Sequence, residues 1–235
     1  MLNSQSISIG CNIALNLTFP IGNVNSVFWR FPQDSNTTYQ NIKSKKSPSF
    51  GFAIGPNIIY EGKNKHNVRF VFESDALYRY TSYKIDWNAN YQSINSSEGK
   101  IYIHYGIKRN EIGVSFLPGL KYKQWIFQTG LNFLFILKTT TAIKYNRDNT
   151  VYLNEISASS ELIKNDAGKI LNIAMPIVIG YEYNINSRFT VHPYVAYEFG
   201  IFNIDTYWLG TINRREFTFL SQLELGIKLN IQTKK

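Results

Sequence analysis

The stretch Ser-Ile-Ser-Ile-Gly-Cys-Asn-Ile-Ala-Leu-Asn-Leu-Thr-Phe at residues 6–19 decides the fold. Every odd position in it is apolar, and every even position is small or polar. A period of two places all the apolar side chains on one face of an extended strand. The alternation is long, because the usual strand of a soluble protein has about 5–6 residues.

Similar alternation recurs along the rest of the chain. The further segments are 50–61, 68–80, 111–122, 125–137, 170–184, 189–201 and 216–231. Tight turns lie near 62–66, 123–124 and 185–187, and longer connections occupy 20–48, 82–110, 143–169 and 203–215. Short turns at one end and long loops at the other are typical of outer-membrane barrels. The sequence therefore predicts an all-β, closed, antiparallel up-and-down transmembrane β-barrel of eight strands, as a single domain over residues 1–235.

The segment 82–110 leaves the strand number open. Its apolar residues at odd positions from 101 to 107 alternate as well, but their parity differs from that of Ile112. We interpret the segment as a strand-like extension outside the membrane or as an extracellular hairpin. The alternative is an additional strand pair, which gives ten strands.

Side-chain volume indicates which face of each strand looks outward. An eight-stranded barrel is just wide enough for side chains to fill it, and the apolar faces carry many Phe, Tyr, Ile and Leu residues. The opposite faces are rich in Gly, Ala, Ser and Asn, which fit inside. We therefore expect the apolar faces to look outward and to contact lipid, since water does not tolerate so large an apolar surface.

The same orientation places charges of both signs in the lumen. Buried charges need partners, so we expect a mutually paired network, with a proton or ion path as the alternative. The predicted lumen network consists of Glu61, Arg69, Glu73, Asp75, Arg79, Glu182, His192, Glu198, Glu224 and Lys228.

Aromatic residues make up 15% of the chain and recur beside the short turns. Girdles of aromatic residues mark the membrane–water interfaces of such barrels. The predicted girdle consists of Tyr60, Tyr122, Trp125, Tyr181, Tyr183 and Phe189.

Two stretches carry a family resemblance. Gly-Tyr-Glu-Tyr-Asn-Ile-Asn-Ser-Arg-Phe at 180–189 and Leu-Gly-Ile-Lys-Leu-Asn-Ile at 225–231 resemble the outer-membrane β-barrel domain proteins of Bacteroidota, the PorT-like group, within the broader OmpA-like type of transmembrane barrel. The resemblance is one of pattern and covers nearly the whole chain. It implies residence in the outer membrane and, for some members, a role in secretion or assembly complexes. The chain departs from the common pattern by ending in Lys234 and Lys235 instead of an aromatic residue.

Catalytic motifs are missing from the sequence. It has no phosphate-binding glycine loop, no Cys-X-X-Cys and no His-Glu-X-X-His, and its histidines are His66, His104 and His192. We therefore expect no catalytic residues, no cofactor and no metal, and hence no enzyme. The enzymatic alternative is lipid A modification by a Ser–His pair, with His104 as the candidate.

The net charge of +9 indicates possible partners. The basic residues are scattered over loops and turns, which does not favour nucleic acid; we expect outer-membrane lipid and lipopolysaccharide as partners, together with other envelope proteins. The chain does not begin with a basic region followed by an apolar segment, so we expect a signal peptide to have been removed from a protein of the cell outer membrane. A structural or accessory role, as a subunit of an envelope secretion or assembly complex, is the first functional hypothesis, and a narrow porin-like channel is an alternative.

Overall fold

One antiparallel sheet forms the part of the molecule that a computed structural model describes, namely residues 5–22, 37–63, 66–93, 98–147, 150–159, 171–201 and 218–233. The strands are β1 (Ser6–Gly22), β2 (Thr37–Glu61), β3 (Val68–Ser93), β4 (Glu98–Tyr122), β5 (Trp125–Thr129), β6 (Leu131–Arg147), β7 (Thr150–Ser159), β8 (Leu171–Tyr181), β9 (Tyr183–Asn184), β10 (Phe189–Gly200) and β11 (Thr218–Gln232). Within these ranges no helix has the length and apolar character needed to cross a membrane.

The sheet closes into a ring of eight strand positions. Antiparallel pairing runs from β1 through β2, β3, β4, the β5–β6 pair, β8, β10 and β11, and β11 pairs again with β1. β5 and β6 share one position because they are two parts of a single strand that is interrupted at Gly130. A Cβ added at Gly130 would lie 1.9 Å from the carbonyl oxygen of Phe116. The predicted eight-stranded antiparallel barrel is confirmed, and the ten-strand alternative is wrong.

Apolar side chains face outward on the strands of the ring. On β1 the exposed fractions of Ile9, Ile13 and Leu15 are 50%, 51% and 65%, whereas Asn12 and Asn16 on the other face are 1% exposed. Large side chains thus surround the barrel while short polar ones fit inside, as their volumes require.

The outward apolar residues form a band of defined height. The band runs from residue 50 to residue 60 on β2, from 70 to 80 on β3 and from 112 to 122 on β4. Ten residues at a rise of about 3.3 Å, tilted by about 40°, span about 25 Å, which matches the apolar band of outer-membrane barrels.

β3 and β4 continue beyond this band as one hairpin. Their pairing runs without a register shift from Val68 opposite Tyr122 to Gln92 opposite Glu98. The segment 82–110 is therefore an extension of two barrel strands, which is one of the two predicted possibilities. β2 and β6 also reach beyond the band, so the predicted connections 20–48 and 143–169 contain strand residues as well.

The polarity of the two faces is reversed in the extension. Apolar side chains there point inward and pack together, whereas Lys84, Asn88 and Lys108 point outward. The buried cluster, here called the extension core, comprises Tyr83, Ile85, Trp87, Ala89, Tyr91, Ile101, Ile103, Ile107 and Leu220. The parity difference at Ile112 is explained by this reversal: the strand is continuous, and the apolar side moves from the outside to the inside where lipid gives way to water.

Candidate functional site

The first cluster of charges in the lumen lies beside the short turns. Lys121 Nζ is 2.6 Å from Glu61 Oε1 and 2.6 Å from Glu182 Oε2. Arg69 Nη1 is 2.9 Å from Glu61 Oε2, and His192 Nε2 is 3.1 Å from Glu182 Oε2. Arg69 stands at the rim, with 38% of its side chain exposed, while the other four side chains are buried. Lys121, which is absent from the predicted network, is thus the centre of this cluster.

A second cluster lies deeper in the lumen, around Lys228. Its ammonium group pairs with Glu73 and lies 4.3 Å from the centre of the Tyr194 ring. Near it, the hydroxyl group of Ser115 donates to Asp75 Oδ2 at 3.2 Å, and its oxygen accepts the backbone N–H of Asp75 at 3.2 Å. A lysine and two carboxyl groups from β3 and β11 are therefore held together out of water.

Arg79 forms the centre of the third cluster. Its Nη1 donates to both carboxylate oxygens of Glu198 at 3.0 Å, and its Nη2 donates to Glu224 Oε2 at 2.9 Å. Asn132 Nδ2 donates to Glu198 Oε2 at 2.8 Å, and the Tyr194 hydroxyl lies 2.5 Å from Glu224 Oε1. This cluster joins β3, β6, β10 and β11 across the lumen.

Two further buried charges escaped the sequence analysis. Arg109 and Glu111 are 5% and 1% exposed and point inward from β4. Their parity is that of Ser115 and Lys121, so continuing the inward face of β4 toward lower numbers would have found them. Arg109 lay in the segment 82–110, which we had placed outside the membrane part of the barrel.

Apolar and aromatic side chains close the lumen between the charge clusters. The packed residues are Ala14, Ala53, Leu77, Leu117, Val178, Tyr194 and Ala196. The Tyr194 ring lies directly over Gly226, where an added Cβ would be 2.4 Å from Tyr194 Cζ. A cavity of about 30 Å³ remains beside Asp75, Arg79 and Tyr194, and a volume of about that size corresponds to a single water molecule.

The six residues of the predicted girdle all lie at the short-turn end of the barrel. Trp125 and Tyr181 pack edge to face with ring centres 5.2 Å apart. Tyr183 and Phe189 are exposed, Tyr60 is half-buried, and Lys123 lies 5.5 Å from the centre of the exposed Tyr122 ring. This arrangement fits rings at a membrane–water interface that present an apolar body and a polar edge.

A groove lies on the outer face of the extension. Its volume is about 680 Å³, and its lining includes Lys45, Tyr102 and Lys144. His104 Nδ1 pairs there with the carboxylate of Asp86 on the neighbouring strand. A carboxylate that orients an imidazole is one part of a general-base arrangement. Partial burial lowers the pKa of Lys46 on β2 from its ordinary value.

No protein-family model matches the sequence, and no curated protein is similar to it. The chain is similar in fold to solved structures of membrane barrels. Ail, the attachment invasion locus protein of Yersinia pestis, solved with the heparin analogue sucrose octasulfate, is 9% identical, with 96% of this chain and 98% of Ail covered and a TM-score of 0.35. Neisserial surface protein A is 9% identical, with coverages of 96% and 98% and a TM-score of 0.31. The outer membrane protease OmpT of Escherichia coli is 8% identical, with coverages of 97% and 97% and a TM-score of 0.38.

The presence of a protease among these structures corrects one expectation. The prediction that the chain is not an enzyme is wrong as stated, because a barrel of similar fold is a protease. The lack of a familiar motif is an insufficient reason to assign no activity. At 8% identity the likeness extends to the fold alone.

Proposed function

We propose that the chain is an integral outer-membrane β-barrel with a structural or accessory role, serving as a subunit of an envelope secretion or assembly complex. Its short turns lie in the periplasm and its extension outside the cell. The observation that carries the proposal is the packing of the lumen among the described residues, where charge clusters and apolar side chains leave a cavity of about 30 Å³ beside Arg79. Within that part of the chain, the surfaces available to a partner protein are the outer wall and the extension. The PorT-like kinship remains a prediction that agrees with this role.

Position-specific cross-linking tests the accessory role. A photo-reactive residue replaces Asn88, on the outer face of the extension, or Ile13, in the apolar band, in the full chain in native membranes. We expect the Asn88 position to capture one envelope protein, identified by mass spectrometry and confirmed by the reciprocal capture, and the Ile13 position to capture lipid. If a correctly folded barrel captures no protein from either position, the accessory role is wrong.

The predicted alternative of a narrow channel finds little support in the described lumen. The cavity beside Arg79 is about 30 Å³, and both oxygens of Glu198 and one of Glu224 are engaged by the same guanidinium group. We therefore expect no single-channel steps in a planar bilayer. Regular single-channel current steps from the wild-type protein that change with Arg79→Ala would contradict the accessory role and support conduction through the lumen.

A second candidate function is enzymatic, and the Asp86–His104 pair favours it. His104 faces outward, as a lipid-modifying base must. It lies eight residues beyond Ile112, however, which places it about 20 Å above the apolar band by the rise and tilt of the strand. The acyl esters and the headgroup of lipid A lie lower, within about 8 Å of the hydrocarbon, so the height of this pair counts against lipid A as its substrate. Mass spectrometry of lipid A from cells with the wild-type protein, with His104→Ala and without the protein tests the candidate, and identical lipid A in all three rules it out.

A further inference from the structure

Lysines on neighbouring strands form a row on the outer wall of the barrel. The row, here called the lysine row, consists of Lys45 on β2, Lys84 on β3, Lys108 on β4 and Lys138 on β6. All four side chains are exposed. None of them forms an ion pair with another described residue.

The strand register places each lysine one diagonal step from the next. Lys45 is opposite Asp86, two residues beyond Lys84. Lys84 is opposite Gly106, two residues beyond Lys108 on the way out of the membrane. Diagonal neighbours of this kind on adjacent strands are about 7–8 Å apart.

Lys138 continues the row on the next strand. Lys108 is opposite Thr140, which is again two residues beyond Lys138. At each of the three strand pairs, the next lysine is therefore two residues nearer the membrane than the position opposite the preceding lysine. Four flexible ammonium groups follow one another at regular intervals across a quarter or more of the barrel wall.

The lysine row runs parallel to the upper edge of the apolar band. Tyr80 is opposite Phe52, so the edge residue Phe50 lies two residues further out. Ile112 is opposite Tyr78, two residues below the edge residue Tyr80. The edge thus follows the same two-residue step as the row across β2, β3 and β4, and the lysines on these strands stay four or five residues from it. On β6, Lys138 directly follows the exposed Leu137 at the edge of the band.

On β2, β3 and β4, that distance places the backbone of the row just above the lipid headgroups, within reach of the lysine side chains. Lys84 and Lys108 lie four residues beyond Tyr80 and Ile112, which is about 10 Å along the membrane normal. The headgroup layer extends about 5–8 Å beyond the hydrocarbon on each side. Lysine stems are long enough to carry the ammonium group several ångströms toward that layer.

The surroundings of the row are positively charged. Among the described side chains on the outer faces of β2, β3, β4 and β6 beyond the band, Asp86 is the one carboxylate, and it is engaged by His104. Lys43 and Lys144 stand further from the membrane, opposite positions that are four residues beyond Lys84 and Lys108. The row therefore attracts anions at the lipid surface.

We propose that the lysine row binds the phosphate groups of phosphorylated glycolipid headgroups in the leaflet around the long-loop end of the barrel. This inference rests on the proposed outer-membrane location. Lysine binds phosphate as a compact point charge, and the attraction of a lysine to an anionic lipid surface acts within a Debye length, about 8–10 Å at physiological salt. Adjacent lysines are close enough for two of them to hold one phosphate.

Native mass spectrometry of the purified full chain tests the proposal by counting retained lipids. The protein is exposed to vesicles of phosphatidylcholine that contain either bisphosphorylated lipid A or lipid A without phosphates. The row variant carries Lys45→Gln, Lys84→Gln, Lys108→Gln and Lys138→Gln. A matched control removes four other exposed lysines, through Lys43→Gln, Lys63→Gln, Lys100→Gln and Lys144→Gln. A heat-dependent shift in gel mobility shows that each variant is folded, and the four single row variants are measured alongside.

We expect the row variant to retain bisphosphorylated lipid A at least about tenfold more weakly than the wild-type protein. We expect the control to match the wild type, and neither to retain the lipid without phosphates. Equal retention by the row variant and the control overturns the proposal, as does equal retention of the two lipids. Displacement of the lipid by inorganic phosphate would indicate a site for free phosphate and overturns it as well. The experiment uses no partner protein, so its outcome is independent of the accessory role.

Discussion

The carboxylate of Glu198 meets the guanidinium group of Arg79 across the full width of the barrel. Arg79 Nη1 lies 3.0 Å from each oxygen of Glu198, a residue 119 positions away in the chain. The two residues belong to β3 and β10, which are four positions apart in the ring of eight and hence on opposite walls. One ion pair therefore bridges the two opposite walls of the barrel at this level.

Glu198→Gln is expected to destabilise the barrel strongly. Removing one partner of a buried pair costs about 3–5 kcal/mol where the other charge is left uncompensated, and we expect the lower end of that range here because Arg79 keeps its contact with Glu224. The measurement is the free energy of unfolding in urea, with the protein in lipid vesicles.

Glu111→Gln is the matched control, because Glu111 is also buried but its Oε2 has no hydrogen-bond partner among the described residues. We expect this variant to lower the free energy of unfolding less than Glu198→Gln does, because Glu111 attracts Arg109 and Arg79 but its Oε2 accepts no hydrogen bond from the described residues. Equal losses for the two variants would show that the Arg79–Glu198 contact has no special weight.

Gly226→Ala is expected to destabilise the barrel through the Tyr194 ring. The added methyl group would lie 2.4 Å from Tyr194 Cζ, and overpacking of this kind costs about 1–3 kcal/mol. In a Tyr194→Leu background the same substitution should cost much less, since the ring is gone. A double-mutant cycle on the free energy of unfolding measures the coupling, and a coupling of zero would contradict the packing described for this pair.

Ala76→Lys and Asn88→Lys compare the two zones of one strand face. Both positions face outward on β3, Ala76 near the middle of the apolar band and Asn88 in the extension. A lysine near the bilayer midplane costs about 2–4 kcal/mol in a membrane barrel, whereas an exposed surface substitution stays within about 0.5 kcal/mol. Unfolding titrations in vesicles give both values. Similar losses at the two positions would place the boundary between lipid and water elsewhere.

The closed ring of hydrogen bonds predicts a heat-dependent mobility in SDS gels. The pairing of β1 with β11 joins the two ends of the sheet through fifteen residue pairs, so unheated protein should keep its barrel and migrate differently from boiled protein. The comparison of unheated and boiled samples in one gel is the measurement. A chain that is monomeric and soluble without detergent, with the same mobility in both samples, would contradict the membrane barrel.

The strands of the apolar band were predictable because lipid and lumen impose opposite volumes on alternate residues. In 6–19 every odd side chain must be apolar and every even one must fit the interior. The extension was harder to interpret, since the rule reverses once water surrounds the wall. Trp87 and Ile103 are interior residues because water surrounds the extension, whereas Ile13 is an exterior residue because lipid surrounds the band and the lumen beside it is polar.

Pairing partners in the lumen could not be predicted from alternation alone. The two-residue alternation shows which side of its strand a residue faces but not its height along the barrel axis. That height depends on the register between strands that are far apart in the chain. Lys121 meets Glu61 and Glu182 only because β4 lies between the strands that carry them and the turns bring all three to one level. Some predicted positions, including Glu216 and Phe217, lie outside the described residues.

The unbroken pairing of β3 with β4 has a mechanical consequence. Because the register runs from Val68 opposite Tyr122 to Gln92 opposite Glu98 without a shift, this strand pair has no β-bulge at the level where it leaves the bilayer. A force on the described part of the hairpin is therefore transmitted to the embedded part of the barrel. A protein that binds to the extension is thus held at an orientation that follows the tilt of the barrel.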